Sequence, residues 1–73
     1  MKKKEYKLIS SISYGLNETY NTYDEMKERF MYIMNNKEEF KKNSMIYAYV
    51  NVYNEEGKIT AQSKTLGIID FNK

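Results

Sequence analysis

From Met45 to Tyr53 the chain alternates, with Ile46, Ala48, Val50 and Val52 on one side and Tyr47, Tyr49, Asn51 and Tyr53 on the other. A period of two is the signature of a strand whose two faces have different surroundings. The run ends in Asn54-Glu55-Glu56-Gly57, which puts Gly where a turn calls for a positive φ. Residues 45–53 and 58–69 therefore read as a hairpin. With the four turn residues as its loop, Tyr53 stands opposite Lys58 and Val52 opposite Ile59. Ile46, Ala48, Val50 and Val52 then share a face with Ile59, Ala61 and Ser63. A slip of one residue would mix this small aliphatic face with the tyrosine face, so the pattern itself selects the register.

The segment before the hairpin supplies a cover for the aliphatic face. Thr22 stands three residues ahead of Glu25, the spacing of a capping box. Asp24, Glu25 and Glu28 near the start, and Lys41 and Lys42 near the end, suit the helix dipole. Tyr23, Met26, Phe30, Ile33 and Phe40 recur at three- and four-residue steps as one stripe, with Met34 at its margin. Asn36 with Glu39 repeats the capping-box spacing, so the pattern predicts a helix over 23–42 with a break near 35–36. Tyr32 falls opposite the stripe and, with Met31, is expected in solvent.

Further upstream, Tyr6, Leu8, Ser10, Ile12 and Tyr14 alternate with Lys7, Ile9, Ser11 and Ser13. This predicts a strand over 5–14, stopped by Gly15 and the polar run Asn17-Glu18-Thr19. Gly67 marks a bulge or bend in the last strand. The expected fold is α+β: a small β-α-β-β domain, a three-stranded antiparallel sheet with one helix packed on one face. Which edge of the hairpin takes the first strand is open at this level.

The chain has 73 residues, enough for one domain. Lys2, Lys3 and Lys4 suggest a flexible basic tail over residues 1–4, with a single α+β domain over 5–73. The 12 Lys and Arg against 10 Asp and Glu then become nine against ten in the body. Arg29 is the only arginine, and the planar guanidinium is the group that reads guanine edges. The sequence therefore argues against a reader of DNA sequence.

There is no His and no Cys. The usual zinc sites, a cysteine nucleophile and the commonest general base are thereby excluded. Gly15, Gly57 and Gly67 are too dispersed for a phosphate-binding loop, and Ser10, Ser11 and Ser13 have no evident activating base. Glu38-Glu39 and Glu55-Glu56 read as solvated pairs. The expectation is a chain that is not an enzyme, with no cofactor, no metal and no small-molecule substrate. No stretch approaches the ~20 apolar residues of a membrane span. The Lys-rich start is followed by Leu8–Ser13, too short and polar for a signal peptide. Asn17-Glu18-Thr19 matches a glycosylation sequon, which matters only to a secreted chain. A cytoplasmic location without membrane contact is expected.

One helix covers one side of a sheet, so the tyrosine side faces water. Tyr47, Tyr49 and Tyr53, with Lys58, Gln62 and Lys64 beside them, are the candidate partner-binding residues. Tyr offers large, fairly rigid contact area with a polar tip and is enriched in interfaces. A protein partner is the leading expectation. The alternatives are a small single-strand nucleic-acid binder, which would stack bases on these rings, and a homodimer built through the same face. The small, Lys-, Asn-, Ile- and Tyr-rich composition is similar to that of accessory proteins of phages and mobile elements in AT-rich bacteria. That resemblance implies an inhibitor or regulator of a host protein.

Overall fold

The structure is a computed structural model that describes residues 3–72. Its strands are β1 (Lys3–Ser10), β2 (Asn17–Tyr20), β3 (Met45–Tyr53) and β4 (Ile59–Asp70). Between the two hairpins lie α1 (Tyr23–Asn35) and the single turn α2 (Lys37–Phe40), which runs into a 3-10 turn at Lys41–Asn43. The sheet order is β2-β1-β3-β4, antiparallel throughout. The chain is thus α+β with an antiparallel sheet, but the sheet has four strands rather than three and the helical segment is two helices rather than one. The first strand adds to the β3 edge of the hairpin.

Three expectations about the N-terminal half are corrected. Lys3 and Lys4 are not tail residues: they pair with Tyr53 and Val52 as the first rungs of β1. Met1 and Lys2 lie outside the described residues. β1 ends at Ser10 rather than Tyr14, because the Ser10 hydroxyl takes the Ile12 N–H at 3.2 Å and turns the chain. Ile12 is therefore 41% exposed and Tyr14 99% exposed instead of joining the core. Gly15 is required at this turn by space: a Cβ there would stand 2.1 Å from Ser10 Oγ and 2.6 Å from Asn43 Oδ1. The polar run beginning at Asn17, expected to end the strand, is itself β2.

What makes so polar a segment a strand is its attachment to the helix. Arg29 of α1 donates a forked pair of hydrogen bonds to Glu18, from Nε at 3.0 Å and from Nη2 at 3.1 Å. Bidentate pairs of this kind are among the stronger charge-assisted bonds. The guanidinium also lies over the rings of Tyr32 and Phe40, at 5.3 and 5.2 Å. Tyr20 donates its hydroxyl to the same carboxylate. Burial pushes the Glu18 carboxyl up, but the Arg29 and Tyr20 bonds outweigh it and hold the group below its ordinary value.

Thr22 caps α1 as its spacing predicts, its Oγ1 accepting the Glu25 N–H at 3.2 Å. The break also falls where expected, at Asn36. There the side chain donates to the Tyr32 carbonyl at 2.8 Å and does not cap α2. Met26, Phe30 and Ile33 of α1 bury against Leu8, Ile46, Ala48 and Ile69. Full burial of such a side chain contributes about 1.5–3 kcal/mol. Tyr6 meets Tyr23 edge to face, with ring centroids 6.4 Å apart.

That contact marks where the cover stops. Beyond Tyr6 the sheet projects past the helix, so Ala61 and Ser63 are exposed rather than packed beneath it. Two register shifts complete the difference in the hairpin. One, between Val52 and Tyr53, places Ile59 opposite Tyr53 and leaves it 53% exposed. The other, between Tyr47 and Tyr49, is where Leu66 (φ 61°) and Gly67 (φ 110°) bulge, and it lets Leu66 pack against the core. Among the described residues, no helix is long and apolar enough to cross a membrane.

Candidate functional site

The sheet face away from the helix carries four cross-strand rows and, beyond the first of them, the pair Met45 and Asp70. Ile9, Tyr47 and Ile68 form the first, and Lys7, Tyr49 and Lys64 the second. Glu5, Asn51 and Gln62 form the third; Lys3, Tyr53 and Ile59 form the last. β2 extends the first two rows with Asn17 and Thr19. Five of the six residues selected from sequence lie on this face. Lys58 does not: it sits in the turn, where its N–H donates to Asn54 Oδ1 at 3.0 Å, and Ile59 takes its expected place opposite Tyr53.

The third row is a polar tie across three strands. Gln62 Nε2 donates to Asn51 Oδ1 at 2.8 Å, and Asn51 Nδ2 donates to Glu5 Oε1 at 3.3 Å. The Tyr53 hydroxyl donates to the same Glu5 oxygen at 2.8 Å. Asn51 is only 4% exposed, so these bonds meet the needs of a buried amide. The Tyr53 hydroxyl is the main influence holding Glu5 below the ordinary carboxylate value, against a smaller opposing effect of burial. Asn51, Lys7 and Lys3 add to the lowering, and the Tyr53 hydroxyl is pushed up in return.

The other two tyrosines are less committed. Among the described residues, the Tyr47 hydroxyl reaches only the weak Met45 thioether acceptor, at 4.0 Å. No side-chain hydrogen bond engages the Tyr49 hydroxyl among the same residues. Both rings are half-buried between their cross-strand neighbours, which limits the freedom they would lose on contact. Three lysines (Lys3, Lys7 and Lys64) stand on this face against two carboxylates, Glu5 and Asp70, although residues 3–72 carry ten positive and ten negative side chains.

Reading from sequence missed Lys3, which it set in a tail over residues 1–4, and Glu5, which it took only as the first residue of the strand over 5–14. The signal was present, because Lys3, Glu5, Lys7 and Ile9 continue the period of two backward from Ser11. Ile68, 49% exposed, was displaced from view by the bulge, whose two extra residues no periodicity reveals. Near the β3–β4 turn, Lys3, Glu5, Tyr53 and Asn54 line an open depression of about 450 Å³. Its lining is about half polar, unlike the mostly apolar pockets that hold small ligands. Among the described residues, no group of three or more Asp or Glu side chains converges to hold a metal ion.

Fold and face together define a class: a minimal four-stranded α+β domain with one helix-covered sheet side and one open side bearing a tyrosine row. No protein-family model matches the chain, and neither a curated protein nor a solved structure matches it.

Proposed function

We propose that this chain is a non-catalytic protein-binding module, acting as an inhibitor or regulator of its partner through the open sheet face. The observation that carries the reading is the row of Tyr47, Tyr49 and Tyr53 on β3, an interior strand that holds them on a solvent-facing surface. Two of the three hydroxyls have no strong internal acceptor among the described residues. Side chains of this kind supply the anchor contacts of protein interfaces. The test is capture from an extract of the native host by the parent chain and by a Tyr47→Thr/Tyr49→Thr variant. Thr retains strand propensity, so the variant should give a parent-like circular-dichroism spectrum and lose the captured partner. Undiminished capture by the folded variant refutes the proposal.

One observation favours a second reading. Lys7 and Lys64 flank Tyr49 in one row, and a ring between two cations suits a nucleotide base and its phosphate. That reading requires binding of a dT12 oligonucleotide that weakens steeply as salt rises. Absence of binding at low salt removes it.

A further inference from the structure

The rows of the open face also specify what kind of protein surface fits it. This inference rests on the reading that the tyrosine face is the binding surface. Successive rows are two residues apart along β3, about 7 Å, which is also the distance between same-side residues of any extended chain. The first row, Ile9–Tyr47–Ile68, carries no charge, and Ile68 is half exposed. The next row places a cation on each side of Tyr49. Lys7 and Lys64 are two strand spacings apart at the backbone, about 10 Å, so a carboxylate that accepts from the Tyr49 hydroxyl is within reach of both lysine side chains.

The row after that reverses the preference. Glu5 is ionised and already accepts from Tyr53 and Asn51. An anionic track along β3 would have to pass over this carboxylate to reach Lys3. A polynucleotide presents one phosphate per nucleotide and needs a continuous basic path, which Glu5 interrupts. The one guanidinium of the chain is bound to Glu18 on the helix side of the sheet. A protein segment with a single acid at the right step meets no such obstacle.

We infer that the partner contributes an extended, acidic segment of the pattern apolar-x-acid, with its apolar side chain on Ile9, Tyr47 and Ile68 and its carboxylate at the Tyr49 hydroxyl between Lys7 and Lys64. Complementary charge at this position speeds encounter and sets register.

The test uses the full chain, 15N-labelled, titrated at low salt with the synthetic peptide Leu-Thr-Glu-Thr-Leu-Thr-Glu-Thr. Its Leu-Thr-Lys-Thr counterpart and dT12 serve as the other probes. The acidic peptide should shift the amides of Lys7, Tyr47, Tyr49, Lys64 and Ile68. Its Kd should rise about tenfold in a Lys7→Glu/Lys64→Glu variant and should also rise with salt. A Lys7→Gln/Lys64→Gln variant serves if the reversed charges disturb folding, as judged by dispersion of the amide spectrum. Unmoved amides, equal binding of the basic peptide, or a Kd unchanged by removing both lysines would each overturn the inference. Tighter binding of dT12 on the same amides would overturn it in favour of nucleic acid. Host-partner capture that is lost in Tyr47→Thr/Tyr49→Thr but kept in Lys7→Glu/Lys64→Glu would refute the acidic segment alone and leave the tyrosine face as the binding surface.

Discussion

Asn43→Ala should be among the most damaging polar substitutions in this chain. Asn43 is 3% exposed and joins three parts of the fold that hydrophobic burial alone would leave loosely connected. Its Oδ1 accepts the Leu16 N–H at 2.8 Å, and its Nδ2 donates to the Phe40 carbonyl at 2.9 Å. Its backbone carbonyl takes the Ser10 hydroxyl at 2.9 Å, which Ala would preserve. The substitution thus leaves two half-buried main-chain groups without partners. Each orphaned group costs about 1–3 kcal/mol, and partial access of water puts the sum near the lower end, about 2–4 kcal/mol. A domain of this size is stable by only roughly 4–11 kcal/mol, so a large share is lost. The melting midpoint should fall by roughly 10–25 °C.

Urea unfolding followed by circular dichroism measures this directly, with Asn36→Ala as the internal comparison. Asn36 makes the same kind of bond, Nδ2 to the Tyr32 carbonyl at 2.8 Å, but at an exposed site. Water replaces that partner, and the loss should stay below about 1 kcal/mol. Asn43→Asp retains an acceptor for the Leu16 N–H and should recover part of the deficit if it remains ionised. If Asn43→Ala and Asn36→Ala differ by less than about 1 kcal/mol, the argument from burial is wrong.

Other substitutions test the same structure. Gly15→Ala forces a Cβ to 2.1 Å from Ser10 Oγ and should destabilise by about 1–3 kcal/mol in the same urea assay, whereas a neutral result would mean the turn moves freely. Ser44 is held at φ 66°, ψ −65°, so Ser44→Gly should relieve strain of about 1–3 kcal/mol and, after the entropy of Gly, stabilise by about 1 kcal/mol; a lower midpoint contradicts this. Stability should also have two pH limits. Glu5 and Glu18 titrate below their ordinary 4.5 in the folded state, so their contribution is complete above that value and is lost as pH falls through the folded values. Tyr20 is raised from 10.0 to about 12 by burial and by Glu18, so its contribution is complete below pH 10 and is lost as pH rises toward 12. Urea midpoints from pH 3 to 11 should show a plateau between these limits, and Tyr20→Phe should flatten the alkaline fall.

Periodicity was a sound guide wherever one face of an element is buried and the other wet. β3 spans Met45–Tyr53 as its alternation requires, and the Thr22 cap, the break at Asn36 and the burial of Met26, Phe30 and Ile33 follow from local spacing. Two faces of a strand are distinguished by parity alone, so the tyrosine row stayed together even though the hairpin register moved. Val52 pairs with Ala61 rather than Ile59, an even shift that keeps Ala61 and Ser63 on their expected side, whereas the irregularity between Val52 and Tyr53 carries Ile59 over to the tyrosine face.

Tertiary structure decided what parity does not carry. β2 exists because Glu18 finds Arg29, eleven residues away, and no pattern within Asn17–Tyr20 announces that partner. Lys3 and Lys4 are strand because β3 is long enough to pair with them; by themselves they have the composition of a tail. Gly67 marked a bulge or bend in the sequence, but its two extra residues and the packing of half-buried Leu66 against the core were set by the finished fold. By itself the sequence therefore determined which side chains share a face within an unbulged stretch, since that depends only on the geometry of one strand or helix. Which faces are covered, how far the helix reaches, and that Lys7 and Lys64 come to flank Tyr49 depended on contacts between distant segments, whose energies are fixed only when the chain closes on itself.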